Sequence, residues 1–194
     1  MPHTFAKTMF SEPAKRIQAR FGSREQYERM TNSGTGEQVL SLDEIEFIAA
    51  RNSFYLATVT PDGWPYIQHR GGRPGFLRVL DERTLAFADY SGNKQYITTG
   101  NLSANDRFAL FLMDYPRRTR LKIIGRARAI EPGTDPALEA KVQMVERKTR
   151  VERIFLLDVV GFDWNCSQHI TPRYSREEME ELFPARYTHP DGAA

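Results

Sequence analysis

Apolar and polar positions change rhythm along the chain, alternating in short runs through the middle and recurring at helical spacing toward both ends. Phe54 to Thr60 is rich in aromatic and β-branched residues. Pro61-Asp62-Gly63 then supplies turn chemistry and Trp64 to His69 resumes an extended course, which predicts a β-hairpin. The same pattern predicts strands over Phe76 to Val79, Thr84 to Ala88, Arg107 to Met113, Arg120 to Ile130 and Arg153 to Gly161. Short strands separated by turns, with few helices between them, favour a closed antiparallel barrel over an α/β sheet.

Helical periodicity frames this β-rich centre. One helix is expected in the first 30 residues, where Ser11-Glu12-Pro13 offers a cap and an early proline, followed by a loop over Thr31 to Gln38. A stronger helix follows Ser41, whose hydroxyl and the carboxylate of Glu44 form an S-x-x-E capping pattern. Leu42, Ile45, Ile48 and Ala49 give that helix one apolar face. Ala137 to Thr149 predicts a short helix carrying Leu138, Val142 and Val145 inward. Ser175 to Glu178 opens a last brief helix that Pro184 stops.

Composition narrows the class. In 194 residues, 40% apolar and 27% charged, the chain has room for one core with helical additions. The formal charge of +2 argues against a nucleic-acid-coating surface. No apolar run is long enough to span a bilayer, and the start lacks a secretory pattern, so a soluble cytoplasmic protein is expected. Cys166 is the sole cysteine and the four histidines are far apart, so neither a disulfide nor a protein-bound metal is expected.

Two segments carry candidate chemistry. Ser91-Gly92-Asn93-Lys94 reads on its own as an ordinary solvated turn, although its amides, hydroxyl and lysine also suit an anion. Gln68-His69-Arg70-Gly71-Gly72 gathers donors and a titratable imidazole at a strand exit. Regular alternation would leave Gln68 and Arg70 on one face. Arg117 to Lys122 reads on its own as a charged sheet rim. Asn101 reads as a structural cap, Trp164 as a core residue, and Cys166 as an incidental thiol despite His169 nearby.

The ordered segments F-Y-L-A-T-V-T-P-D-G-W-P-Y-I-Q-H-R-G-G at 54–72, F-A-D-Y-S-G-N-K-Q-Y at 87–96 and R-T-R-L-K-I-I-G-R-A at 118–127 resemble the pyridoxamine 5'-phosphate oxidase-like FMN-binding split-barrel superfamily, in particular its less characterised bacterial members. The resemblance implies a mainly β fold with peripheral α, an antiparallel split β-barrel at residues 39–174. A helical extension would precede it at 1–38, and a short helix and tail would follow at 175–194. It further implies a homodimer with FMN in clefts between the subunits.

On that resemblance Lys94 matches the phosphate-contacting lysine, with Ser91, Asn93 and Gln95 beside it. Gln68 stands where relatives often carry arginine, with Arg70 placed to compensate and His69 between them. Arg120 and Lys122 fall at the flavin-ring position, and a positive group there would stabilise charge developing on reduction. Trp164, Gln168 and Arg173 lie in the terminal segment that completes the cleft from the other subunit in relatives, and Phe108, Phe111 and Tyr115 are candidates for the interface. The arginine-containing substrate motif of the true oxidases is not reproduced, so oxidation of a B6 vitamer does not carry over. The expected activity is an FMN-dependent oxidoreductase acting on a small organic substrate or NAD(P)H, with no catalytic side chain assigned. The alternatives are an FMN-binding or storage protein with little turnover, or a related barrel that binds haem or a deazaflavin.

Overall fold

The computed structural model describes residues 3–33, 37–143, 150–164 and 168–184. Its centre is a seven-stranded antiparallel sheet built from β1 (Ser53–Val59), β2 (Pro65–Gly71), β3 (Arg78–Asp81), β4 (Thr84–Tyr90), β5 (Arg107–Asp114), β6 (Thr119–Ile130) and β7 (Val151–Trp164), in the order β2-β1-β5-β6-β7-β4-β3. The expected hairpin is β1 and β2. Thr60 and Trp64 close it by a backbone hydrogen bond, and Gly63 takes the positive φ of 87° that the tight turn requires.

Alternation along each strand sorts the side chains into two faces. The inner face packs one core of Phe54 and Leu56 from β1, Leu110 and Leu112 from β5, Leu121 and Ile123 from β6, and Phe155 and Leu157 from β7. Enclosing that core curls the sheet until its ends approach. Arg70 on β2 reaches Asp89 on β4 at 2.5 Å, although no ladder hydrogen bonds join these two strands among the described residues. The barrel is therefore split along a seam between β2 and β4. A register shift between Ile124 and Gly125 bends β6 against β7. A Cβ on Gly125 would lie 2.1 Å from the Asp158 carbonyl, so the close approach demands glycine.

The start of the chain departs from expectation. Three short helices, α1 (Thr4–Met9), α2 (Glu12–Arg20) and α3 (Arg24–Asn32), replace the single helix, because a bend at Phe10-Ser11 and a glycine turn at Gly22 divide them. α1 is tied to β7 by Gln38, whose amide donates to the Phe162 carbonyl at 2.7 Å. The Gln38 Oε1 in turn accepts from the backbone N–H of Phe162 and of Phe5.

α4 (Leu42–Ala49) carries the expected capping box. Burial pushes the Glu44 carboxyl up, but hydrogen bonds from Ser41, from the Trp164 indole at 2.5 Å and from backbone amides outweigh it and hold the group below its ordinary value. α5 (Ile97–Ala104) contains Asn101 in its interior, so Asn101 is not a cap. Its side chain donates instead to the Thr58 hydroxyl at 2.9 Å. β3 begins at Arg78, two residues later than expected, since Phe76 belongs to the preceding turn and folds back over Gly72. α6 (Pro136–Val142) lays Leu138 and Val142 on the outside of β4 and β7 and ends at Gln143. Val145 lies outside the described residues, as does Cys166. α7 (Arg176–Leu182) starts on the Ser175–Glu178 capping box. Among the described residues no helix is long and apolar enough to cross a membrane.

Candidate functional site

A cleft of about 240 Å³ opens at the seam. Its walls come from β2, β4, the start of β7, the turn after β4 and the first residues of α5. Alternation along β2 is unbroken, so Tyr66, Gln68 and Arg70 all face inward and line it. Opposite them Asn93, Lys94 and Gln95 lie on the exposed turn, where the Asn93 carboxamide oxygen accepts from the Gln95 N–H at 3.2 Å. Lys94 and Tyr96 both adopt positive φ, 60° and 52°, a conformation that side chains with a Cβ rarely take. Two such residues in three positions mark a turn held in shape by its surroundings.

α5 begins directly after this turn, and no side chain caps its N-terminus. Its first residues, Ile97, Thr98 and Thr99, line the cleft, so first-turn amides and the positive end of the helix dipole lie at the cleft wall. The Thr98 hydroxyl donates to Gln68 Oε1 at 2.9 Å, fixing the helix to β2. The floor is ionic. Asp89 accepts from Arg70 and, at 2.6 Å, from Arg153, which also pairs with Glu152 and stacks on the Tyr96 ring at 4.9 Å. The Lys94 ammonium makes no hydrogen bond or ion pair with another described residue. Arg70 Nε is buried without a partner among them. These surroundings suit an anion bearing several oxygens.

The residues singled out from sequence fall into two groups. Gln68, Arg70, Asn93, Lys94 and Gln95 meet in the cleft. Ser91 lines an adjoining hollow with Lys94, and its N–H donates to the Arg150 carbonyl. His69 projects to the opposite face of β2, against Tyr55. Arg120 lies over Phe111 on that same outer face, and Lys122 pairs with Asp163 at 2.7 Å beneath Phe5 of α1. Arg173 stacks on Tyr115, whose hydroxyl is raised above the usual phenol range by its hydrogen bond with Tyr55 and by burial, with Arg173 acting in the opposite sense. Trp164 packs on Phe47 of α4, Gln168 is exposed in a turn, and Phe108 belongs to the core. Within one chain the structure does not bring this second group to the cleft.

Sequence reasoning missed Tyr66, Asp89, Tyr96, Thr98, Glu152 and Arg153. Asp89 and Tyr96 sit inside the 87–96 segment, whose turn drew attention away from its flanks. Arg153 on β7 offers no local signal, because pairing of β7 with β4, far apart in sequence, sets it opposite Asp89.

The outer face of β2, β1, β5 and β6 differs in character. Ala57, Val59, Pro65, Ala109 and Ile124 line an apolar groove of about 320 Å³ closed on one side by Thr8 and Met9 of α1. Ile67, also pointing outward from β2, is 63% exposed.

None of the curated proteins matches the chain in sequence. Among solved structures, HupZ from Group A Streptococcus is 18% identical with a TM-score of 0.53, and the match covers 70% of this chain and 100% of that one. A protein from Clostridium acetobutylicum related to general stress protein 26, of the pyridoxinephosphate oxidase family, is 11% identical with a TM-score of 0.50, covering 71% and 95%. At these identities the likeness concerns the fold. The sequence match is to a family model described as pyridoxamine 5'-phosphate oxidase, over residues 44–155, which run from α4 through the first strands of the barrel to β7. Spanning more than half the chain, it establishes that this protein belongs to the pyridoxamine 5'-phosphate oxidase family.

Proposed function

We propose that the protein is an FMN-dependent oxidoreductase that works as a homodimer and holds the FMN phosphate in the seam cleft. The observation that carries this reading is the convergence of Gln68 and Arg70 from β2 on the turn that bears Lys94, beside the uncapped start of α5. The residues fit the group. Among the described residues Lys94 makes no hydrogen bond or ion pair and Arg70 has a buried Nε without a partner, and the adjoining amides are those of a helix N-terminus. Lys94 would supply a mobile point charge to the phosphate, Arg70 a directed donor, and Gln68 a carboxamide held in place by Thr98.

When bound, FMN supplies hydride or electron transfer at its N5. No side chain of this chain is needed as a nucleophile. The division of the two groups of residues supports the dimer. An exposed apolar sheet face of this kind marks an interaction surface. Pairing two copies through it would bring Arg120 and Lys122 of the partner subunit toward the ring end of the cleft, where a cation stabilises negative charge on a reduced flavin. The substrate is a small organic molecule or NAD(P)H.

Native mass spectrometry coupled to the visible spectrum tests the reading. Two chains carrying two FMN and a flavin spectrum are expected, with turnover when NADH or NADPH is added. A Soret band or deazaflavin absorbance would replace the cofactor assignment, one chain with stoichiometric FMN would remove the shared cleft, and bound FMN without turnover would make the protein a flavin carrier.

A further inference from the structure

The floor of the cleft carries more ionic structure than a phosphate seat on Lys94 requires. Asp89 is 6% exposed and divides its carboxylate between two guanidinium groups, one oxygen 2.5 Å from Arg70 on β2 and the other 2.6 Å from Arg153 on β7. Arg70 depends on this contact. Its Nε has no partner among the described residues, and its guanidinium otherwise only lies near the rings of Phe87 and Phe155, at 5.8 and 5.9 Å. Both arginines are balanced by carboxylates, Asp89 and Glu152, so they bring directed N–H groups to the cleft more than net charge. The Arg70–Asp89 bond also spans the seam where no ladder hydrogen bonds join the strands among the described residues.

We propose that Asp89 is the positioning residue of the anion site, aiming Arg70 and Arg153 into the cleft and holding β2 to β4 at its floor. The proposal rests on the phosphate reading above. It makes a prediction opposite to that of simple electrostatics. If the cleft attracted anions by net charge alone, removing the Asp89 charge would tighten binding. If orientation governs, the same change frees Arg70, leaves Arg153 held by Glu152 alone and lets the two guanidinium groups repel one another, which weakens it.

Titrations with FMN and with riboflavin, followed by flavin fluorescence, separate these cases because riboflavin lacks the phosphate. Asp89→Asn is expected to weaken FMN about tenfold or more while riboflavin affinity stays within about twofold. Asp89→Glu keeps the charge but displaces it by one methylene, and is expected to weaken FMN in the same selective way. Tighter or unchanged FMN binding in Asp89→Asn overturns the proposal, and so does an equal loss for both ligands, which is the mark of a merely structural role. Should neither variant fold by thermal melting, Arg153→Lys keeps the Arg70–Asp89 pair and removes the fork from β7. A several-fold loss specific to FMN then supports the proposal, and unchanged FMN binding overturns it. Wild-type protein that binds riboflavin as tightly as FMN overturns the phosphate reading itself, and this is seen before any variant is made.

Discussion

The two faces of β2 present opposite chemistry. Inward, Gln68 and Arg70 enter an ionic cleft floored by the Arg70–Asp89–Arg153 pairs. Outward, Pro65 and Ile67 belong to an exposed apolar surface with His69 beside them. Successive residues thus belong to two different environments, one an ionic cleft and the other an exposed apolar face. The alternation of a regular strand is enough to keep them apart. On the proposed reading one subunit carries half of the flavin site, and its ring end depends on the face that alternation turns away.

The strongest way to break this comparison is to charge the outer face. Ala109→Glu, opposite Ala57 across β1 and β5, places a carboxylate in the surface assigned to the second subunit. It should destabilise the dimer by about 3 kcal/mol or more. Light scattering should then report a single chain, retained FMN should fall sharply, and the circular dichroism should remain that of the folded barrel. A variant that stays dimeric with FMN bound would place the interface elsewhere.

On the inner face, Lys94→Ala removes the ammonium that is unpaired among the described residues. A loss of FMN affinity of roughly tenfold to a hundredfold is expected, corresponding to a charge-assisted hydrogen bond of about 1.5–3 kcal/mol, with riboflavin little affected. Equal losses for the two flavins would move the phosphate away from this turn. A finer test compares neighbours on one strand. Gln68→Ala removes the acceptor of the Thr98 hydroxyl and should weaken FMN by about 1 kcal/mol, roughly fivefold. His69→Ala, pointing outward, should leave phosphate discrimination unchanged. Matching effects from the pair would mean that β2 does not separate the two faces.

The smallest effect expected lies away from both faces, at Glu44. Its carboxyl is held below the ordinary value of 4.5 in the folded protein, so its ionised form contributes stability that is present above that value and lost as pH falls through the lower folded one. Glu44→Gln should therefore lower the melting temperature near about pH 7 and converge on the wild type near about pH 3. A gap between the two melting curves that stays constant across that range would show that Glu44 gains nothing from its charge.

Much of this was legible in the sequence because it depends on short-range rules. The β1–β2 hairpin follows from alternation around Pro61-Asp62-Gly63, and both capping boxes follow from the S-x-x-E spacing at Ser41 and Ser175. Lys94 is singled out by its turn and by the resemblance of 87–96 to relatives. What was not legible depends on closure of the sheet. Arg153 meets Asp89 because β7 pairs with β4, and Arg70 meets Asp89 across a seam that no ladder hydrogen bonds join among the described residues, so neither contact leaves a local pattern. The division of the 68–70 segment between two faces is written in its alternation. That His69 shares a surface with Arg120 and Arg173 was not, since the order of strands in the sheet decides it.

A crystal structure of the protein with FMN tests the central claim most directly. The account predicts the phosphate within hydrogen-bonding distance of Lys94 and Arg70 at the seam, with the flavin ring reaching the outer sheet face of a second subunit. A phosphate seated on the outer face, or an FMN enclosed wholly by one chain, would contradict it.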